Sequence, residues 1–349
     1  MCPRVILTCL RKKGCSVKRL LLLGVVFLLP LVPDFAAAPA LAAERAVVNA
    51  QSENDLFGNG DDRHYTNGLK FSIFYPADVQ LRPVSGAAAR IPFFEPGTNL
   101  RFSLGIGQNI YTPDDITRKF PDPRDRPYAG WLYGSVGMTS EHEDGLLEIL
   151  ELDLGIVGPE SFAEDVQTTW HEWIDTTRPE GWAHQLKNEP GIVLFYERKR
   201  RAKPHNFTSW LQADFTPHSG LALGNVFTYA AVGATVRIGD GLPTDFGPPR
   251  IRPSLPGSGF FDPKGRTYSW YIFAGVEGRA VARNIFLDGN TFTDSASVDR
   301  KVLVGDAQLG IVVTIRQVRL AYTQIFRTRE FDNQREADNF GALSLSYAF

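Results

Sequence analysis

The densest chemistry in the chain lies in Glu53-Asn-Asp-Leu-Phe-Gly-Asn-Gly-Asp-Asp-Arg-His-Tyr-Thr-Asn-Gly-Leu-Lys70, where acids, amides, an Arg and a His crowd a Gly-punctuated turn. The side-chain oxygens of Asn54, Asp55, Asp61 and Asp62 suit a hard cation such as Ca²⁺. The same composition also closes a hairpin or makes a solvated loop. It is not an EF-hand, because the acids do not alternate and no Glu closes the loop. An alternating apolar strand, Leu69, Phe71, Ile73, Tyr75, leaves the turn directly.

A general base would come from one of six histidines: His64, His142, His171, His184, His205 or His218. His171 stands out, because the spacing predicts a helix after Gly158-Pro159 and places Gln167 four residues before it on the same face. Ser161 and Glu164 have the spacing of a capped start, and Val166, Trp170, Trp173 and Ile174 fall on one stripe. The bland alternative is a rim helix with tryptophans at a membrane interface and His171 on its surface. No G-x-S-x-G elbow occurs, and His171-Glu-Trp-Ile-Asp175 lacks the second His of a zinc motif. Arg124 and Arg126 could grip phosphate bidentately or be solvated charges of a Pro-rich loop.

These candidates need elements to hold them, and the N-terminus says where the chain works. A basic segment (Arg11, Lys12, Lys13, Lys18, Arg19) precedes an apolar run from Leu20 to Val32, then Ala40-Leu41-Ala42. This reads as a secretory signal over residues 1–42, cut after Ala42 or Ala43, with residues 43–349 as the exported protein. All three cysteines (Cys2, Cys9, Cys15) lie within it, so disulfides do not hold the remainder together and thiolate chemistry is excluded. Removing six of 37 basic and one of 39 acidic residues leaves a net charge of about −7, which gives no reason to expect a nucleic-acid partner.

Period-2 alternation recurs throughout, as in Leu100, Phe102, Leu104, Ile106 and in Leu150, Leu152, Leu154, Ile156. Twelve strands are predicted, near 45–53, 67–75, 99–108, 129–138, 147–157, 191–200, 207–216, 225–238, 268–283, 301–315, 317–328 and 339–349. Their length, even number and lack of an accompanying hydrophobic helix predict an all-β fold, a transmembrane antiparallel barrel with a short helical segment at the extracellular rim. The end of the chain sharpens this. Gly341, Leu343, Leu345, Tyr347 and Phe349 alternate with small or polar residues, and a last strand ending on an aromatic looks like the address read by the outer-membrane assembly machinery.

With both termini on the periplasmic side, odd-numbered connections lie on the outer rim. The opening stretch, 109–128 and 158–190 then gather at one end, with His64, His171, His184 and His218 on that side and His142 and His205 in periplasmic turns. The Gly/Pro-rich segment 239–267 fits poorly, being long where short turns are expected; a further hairpin there is one expectation.

Taken together, Glu53-Asn54-Asp55-x-Phe57, Asp62-Arg-x-Tyr-Thr-Asn-Gly-Leu69, Gly107-Gln-x-x-Tyr-Thr-Pro113, Asp125-Arg-Pro-Tyr-Ala-Gly130 and Gly155-x-Val-Gly-Pro159 resemble the outer-membrane lipid A 3′-O-deacylases of the LpxR type. Gln167-x-x-x-His171, Pro179-x-Gly-Trp-x-x-Gln-Leu186 and Asn284-x-Phe-Leu-Asp-Gly-Asn290 complete the set, which spans most of the chain in order. The resemblance implies a twelve-stranded barrel that hydrolyses the 3′-acyloxyacyl ester of lipid A, within lipopolysaccharide, with Ca²⁺ required. It implies His171 as the base beside Gln167, Asn54 and Asp55 near the metal, and Arg126, Thr66 and Asn67 toward the substrate. The family's acid after the His does not map cleanly, and Thr177 or Glu180 stands in its place. Segments 76–98 and 239–267 have no match. An outer-membrane phospholipase and a non-enzymatic channel or structural barrel are the competing readings.

Overall fold

A computed structural model describes residues 45–57, 64–77, 94, 97, 99–242, 245–254, 257–263 and 266–349. The expected signal segment and its cleavage site, Asp61, Asp62 and most of 76–98 lie outside the described residues. Twelve long strands follow one another: β1 Val47–Asn54, β2 His64–Phe74, β3 Asn99–Thr112, β4 Ala129–Glu141, β5 Leu146–Val157, β6 Glu189–Arg200, β7 Leu211–Gly224, β8 Phe227–Asp240, β9 Tyr268–Asn284, β10 Leu303–Ile315, β11 Val318–Arg327 and β12 Asp338–Ala348. Each pairs antiparallel with its neighbours in sequence, β1 with β12, and the sheet is closed; a two-residue strand, His205–Asn206, adds to the edge of β7. All twelve expected strands are present, and among the described residues no helix is long and apolar enough to cross a membrane.

The closure follows from the alternation. Along β10 the burial alternates strictly, with Leu309 and Ile311 exposed and Val304, Asp306, Gln308 and Val312 buried. The apolar residues of such strands face outward and the polar ones fill the lumen, as a wall in lipid requires. β7 runs to Gly224, eight residues beyond its expected end, so His218 is not on the rim. It lies within the strand, inside the barrel, with Nε2 3.0 Å from Glu277 Oε2. The expected strand stops at 216, just after Phe215, whereas closure of the barrel carries it on through Pro217 and Gly220.

Segment 239–267 is not a further hairpin. Its described parts fold back into the lumen from the end that carries the termini and form a plug. Phe246, Phe260 and Phe261 pack with Val47, Leu147, Ile149 and Ala348 at its base. Asp245 accepts from Arg237 Nη1 and Arg319 Nη1, each at 2.6 Å. Higher up, Arg252 reaches Glu197 and Glu151, and Arg250 Nε donates to Glu53 Oε1 at 2.6 Å. A loop without apolar periodicity is thus ordered by ion pairs to the wall, as buried charges require.

At the opposite rim, the β3–β4 and β11–β12 connections roof the lumen. His64 Nδ1 lies 2.5 Å from Asp338 Oδ1, its Nε2 3.7 Å from Asp125, and its ring edge-on to Phe331. Beneath the roof is an aromatic layer that includes Tyr65, Tyr111, Trp131, Phe227, Phe286 and Phe340. Phe286 comes from the one-turn helix Ile285–Asp288, whose start is capped by Asn284 Oδ1 accepting from Phe286 N.

Candidate active site

β1 passes from the lumen to the outer face within two residues. Glu53 is buried beneath the plug tip, and strand alternation turns Asn54 to the opposite face. A single register row then crosses four strands, Asn54 to Asn67 to Ile110 to Gly130. At about 4.8 Å per strand, the row spans roughly 14 Å of wall. In β2 the bulge between Tyr65 and Asn67 leaves Thr66 unpaired in the ladder. Tyr65 therefore points inward to Phe340, while Thr66 bonds Thr112 through their hydroxyls at 2.7 Å. Asn67 stands opposite Asn54, with its Oδ1 buried and without a hydrogen-bond partner among the described residues.

The far end of this row supports the twelve-residue helix Ala163–Ile174 at the rim (hereafter the rim helix). Gly130 is what lets it approach: a Cβ there would lie 2.0 Å from Ser161 Oγ and 2.3 Å from Ala163 Cβ. Ile110, Tyr128, Ala163 and Trp182 form one buried cluster, so the helix lies on the outer side of β3 and β4. Its start differs from the expected capping box. Gly158, at φ 101°, turns the chain into a 3-10 turn Pro159–Ser161, Ser161 Oγ donates back to Gly158 O, and the N-cap residue is Phe162.

The buried face of the rim helix is Ala163, Gln167 and His171, four residues apart and therefore on one stripe. Trp170, Trp173 and Ile174, expected as a stripe, are exposed. A soluble amphipathic helix would bury that stripe; here polar residues face the wall and indoles face outward, where a membrane interface accommodates them. His171 is only 4% exposed, and its Nδ1 lies 2.5 Å from the Thr177 carbonyl. A carbonyl only accepts, so Nδ1 carries the proton and Nε2 the lone pair. Gln167 Oε1 accepts from Trp182 Nε1 at 2.8 Å. That bond fixes which way the amide faces, so its NH₂ is the group turned elsewhere. Trp182 is itself seated on Tyr128, ring to ring at 4.9 Å, and Tyr128 O accepts from Leu186 N.

Two of these residues have roles that the sequence does not signal. Thr177, which stands where the family's acid is expected, contributes a backbone carbonyl, which no side-chain pattern signals. Trp182 stood in a recognised motif without an assigned role.

Asn54 Oδ1 accepts from Leu56 N at 2.8 Å and opens the 3-10 turn Asp55–Phe57, with Asp55 buried at its start. Among the described residues no group of three or more His, Cys, Asp or Glu could hold a metal. Ca²⁺ accepts both carboxylate and neutral amide oxygens. The Asp55 carboxylate, the Asn54 amide and the orphaned Asn67 oxygen fit that chemistry.

Arg126 is placed differently. It is fully buried on the lumen side of the roof, over the Tyr111 ring at 4.9 Å and 3.5 Å from Glu330 Oε2. Its Nε and Nη2 have no partner among the described residues. Arg124 is engaged locally, with Nε and Nη2 on Asp122 at 3.1 and 2.9 Å. That guanidinium holds the Asp122 carboxyl well below the usual range, and the Thr117 hydroxyl lowers Asp115.

A closed antiparallel barrel with an outward apolar wall, a filled lumen and a helix bearing a fixed imidazole on its outside defines an outer-membrane β-barrel protein. Over residues 21–349 the chain matches the family described as outer membrane protein LpxR, and it belongs to that family. Among solved structures it is similar to LpxR from Salmonella typhimurium, with a TM-score of 0.70 and 22% identity over 87% of this chain and 100% of that one. The β domain of the Bordetella autotransporter BrkA matches at a TM-score of 0.43 and 10% identity, over 88% of this chain and 100% of that chain. No curated protein matches the sequence significantly.

Proposed function

We propose that this protein removes the 3′-acyloxyacyl chain of lipid A by Ca²⁺-dependent ester hydrolysis in the outer membrane. The observation that carries the reading is the imidazole of His171, held in one tautomer by the Thr177 carbonyl and set beside Gln167 on the outer face of the barrel. Membership of the LpxR family supports it.

In this mechanism His171 Nε2 takes a proton from water as the water oxygen bonds to the ester carbonyl carbon. The carbonyl π electrons move to oxygen. When they return, the bond to the sugar 3′-oxygen breaks, and the imidazolium gives that oxygen its proton. The products are a free acyloxyacyl acid and a 3′-hydroxyl. Gln167, oriented by Trp182 and on the same helix face as His171, would help to position the attacking water. Asn54, Asp55 and Asn67 would hold Ca²⁺, which supplies the positive charge that steadies the oxyanion. Thr66, on the same face, borders the acyl path. Arg126 is buried beneath the roof, so a contact between a substrate phosphate and its Nε and Nη2 would require the roof to move.

The test is His171→Ala in a refolded barrel. Loss of a general base should slow lipid A deacylation by about 10²–10⁴. Near-wild-type, Ca²⁺-dependent activity in that variant would end the assignment.

A further inference from the structure

The luminal plug reaches farther than closure of the barrel requires. From its base at Val47 to its tip at Glu53 it climbs six residues of β1, roughly 20 Å at the rise of a strand. At the tip, Glu53 Oε1 accepts from Arg250 Nε at 2.6 Å and from Ile251 N at 3.0 Å. Arg250 Nη1 donates to Gln308 Oε1 at 3.0 Å, so one guanidinium ties β1 to β10 across the lumen. Glu53 and Arg250 are both buried.

Glu53 is the residue immediately before Asn54 and Asp55. Its cross-strand partners are Gly68 and Ala342, and those of Asn54 are Asn67 and Gly341. Three of these four partners are Gly or Ala, so this strand end has little lateral side-chain packing. The Tyr65 hydroxyl and the plug tip share the space they leave: a Cβ on Gly68 would lie 2.1 Å from Tyr65 Oη and 3.0 Å from Ile251 Cδ1.

We infer that Arg250 is a positioning residue: by clamping Glu53 from inside the lumen, it fixes the strand end from which Asn54 turns to the outer face and at which the turn carrying Asp55 begins. A loop entering from the terminal end thereby sets the geometry of a site at the opposite rim. This rests on the proposed assignment of Asn54 and Asp55 to the site. An error of about 1 Å in a reacting group costs on the order of 100-fold in rate, which is the scale on which such a clamp acts.

The experiment compares wild type, Arg250→Ala, Arg250→Lys and, as a control at the plug base, Asp245→Asn. Each is refolded, and folded barrel is selected by heat-modifiable electrophoretic migration. Lipid A deacylation is then measured as kcat and KM, and hydrogen exchange is followed in the peptide covering 53–57. Arg250→Ala should lower kcat at least tenfold with KM within twofold, and should speed exchange at 53–57. Arg250→Lys, which keeps a charge for Glu53 but cannot also hold Gln308, should fall between; if the Ala variant does not fold, it carries the test. Asp245→Asn should keep kcat within threefold. Unchanged kcat and exchange in folded Arg250 variants would overturn the inference, as would an equal loss in Asp245→Asn. An inactive wild type would instead overturn the deacylase reading, and the exchange measurement would still decide whether Arg250 holds the strand end.

Discussion

The unit of chemistry at the residue scale is a relay: Tyr128 seats Trp182, Trp182 orients Gln167, and Thr177 orients His171. Trp182→Phe keeps most of the packing and removes one hydrogen bond, worth about 1 kcal/mol. It should lower kcat by roughly three- to tenfold with little change in KM, since it frees the Gln167 amide without touching substrate; steady-state kinetics on purified lipid A checks this. Gln167 and His171 were legible in sequence, because their spacing of four survives as a shared helix face. The Thr177 carbonyl was not, because a backbone acceptor leaves no trace in side-chain types. Nor was the lumen-side position of Arg126, which depends on how two distant connections meet at the roof.

Elements show the same division. Strands were legible because the pleat alternates lipid and lumen, and that alternation is written in the residues. The rim helix was legible in place, and outward tryptophans were one of its readings. The burial of His171 was not part of that reading, because a stripe of Val166, Trp170, Trp173 and Ile174 does not say what covers the other face. Outside a lipid-facing wall the usual direction inverts, and Trp170, Trp173 and Ile174 are exposed. Its seat is Gly130, where any side chain must displace Ser161 and Ala163. Gly130→Val should push the helix off β4 and lower activity by at least tenfold, on the order of 1.4 kcal/mol in transition-state terms, while strand content by circular dichroism stays that of wild type. Unchanged activity would mean that the helix does not need this seat.

At the scale of the barrel, the described residues fill the lumen with a charge-ordered plug from below and roof it with the His64–Asp338 and Arg126–Glu330 pairs above. The plug was invisible in sequence, because segment 239–267 is organised by ion pairs to strands far along the chain and not by any local period. It opposes the channel reading. In planar bilayers the protein should show no conductance above baseline, and a variant lacking 245–263 should conduct if it still closes; steady wild-type currents would contradict the closed lumen. The plug's buried pairs also make truncation costly. Glu53→Ala leaves Arg250 uncompensated, and removing one partner of such a pair typically costs about 3–5 kcal/mol, which should appear as a lower thermal midpoint by circular dichroism. The proposed substrate is a lipid, and mass spectrometry of lipid A incubated with the refolded protein, in Ca²⁺ and in chelator, reads its cleavage directly. A Ca²⁺-dependent deacylase should remove the mass of one acyloxyacyl chain in Ca²⁺ and leave lipid A intact in chelator. Intact lipid A under both conditions, or cleavage of glycerophospholipids alone, would contradict the deacylase reading.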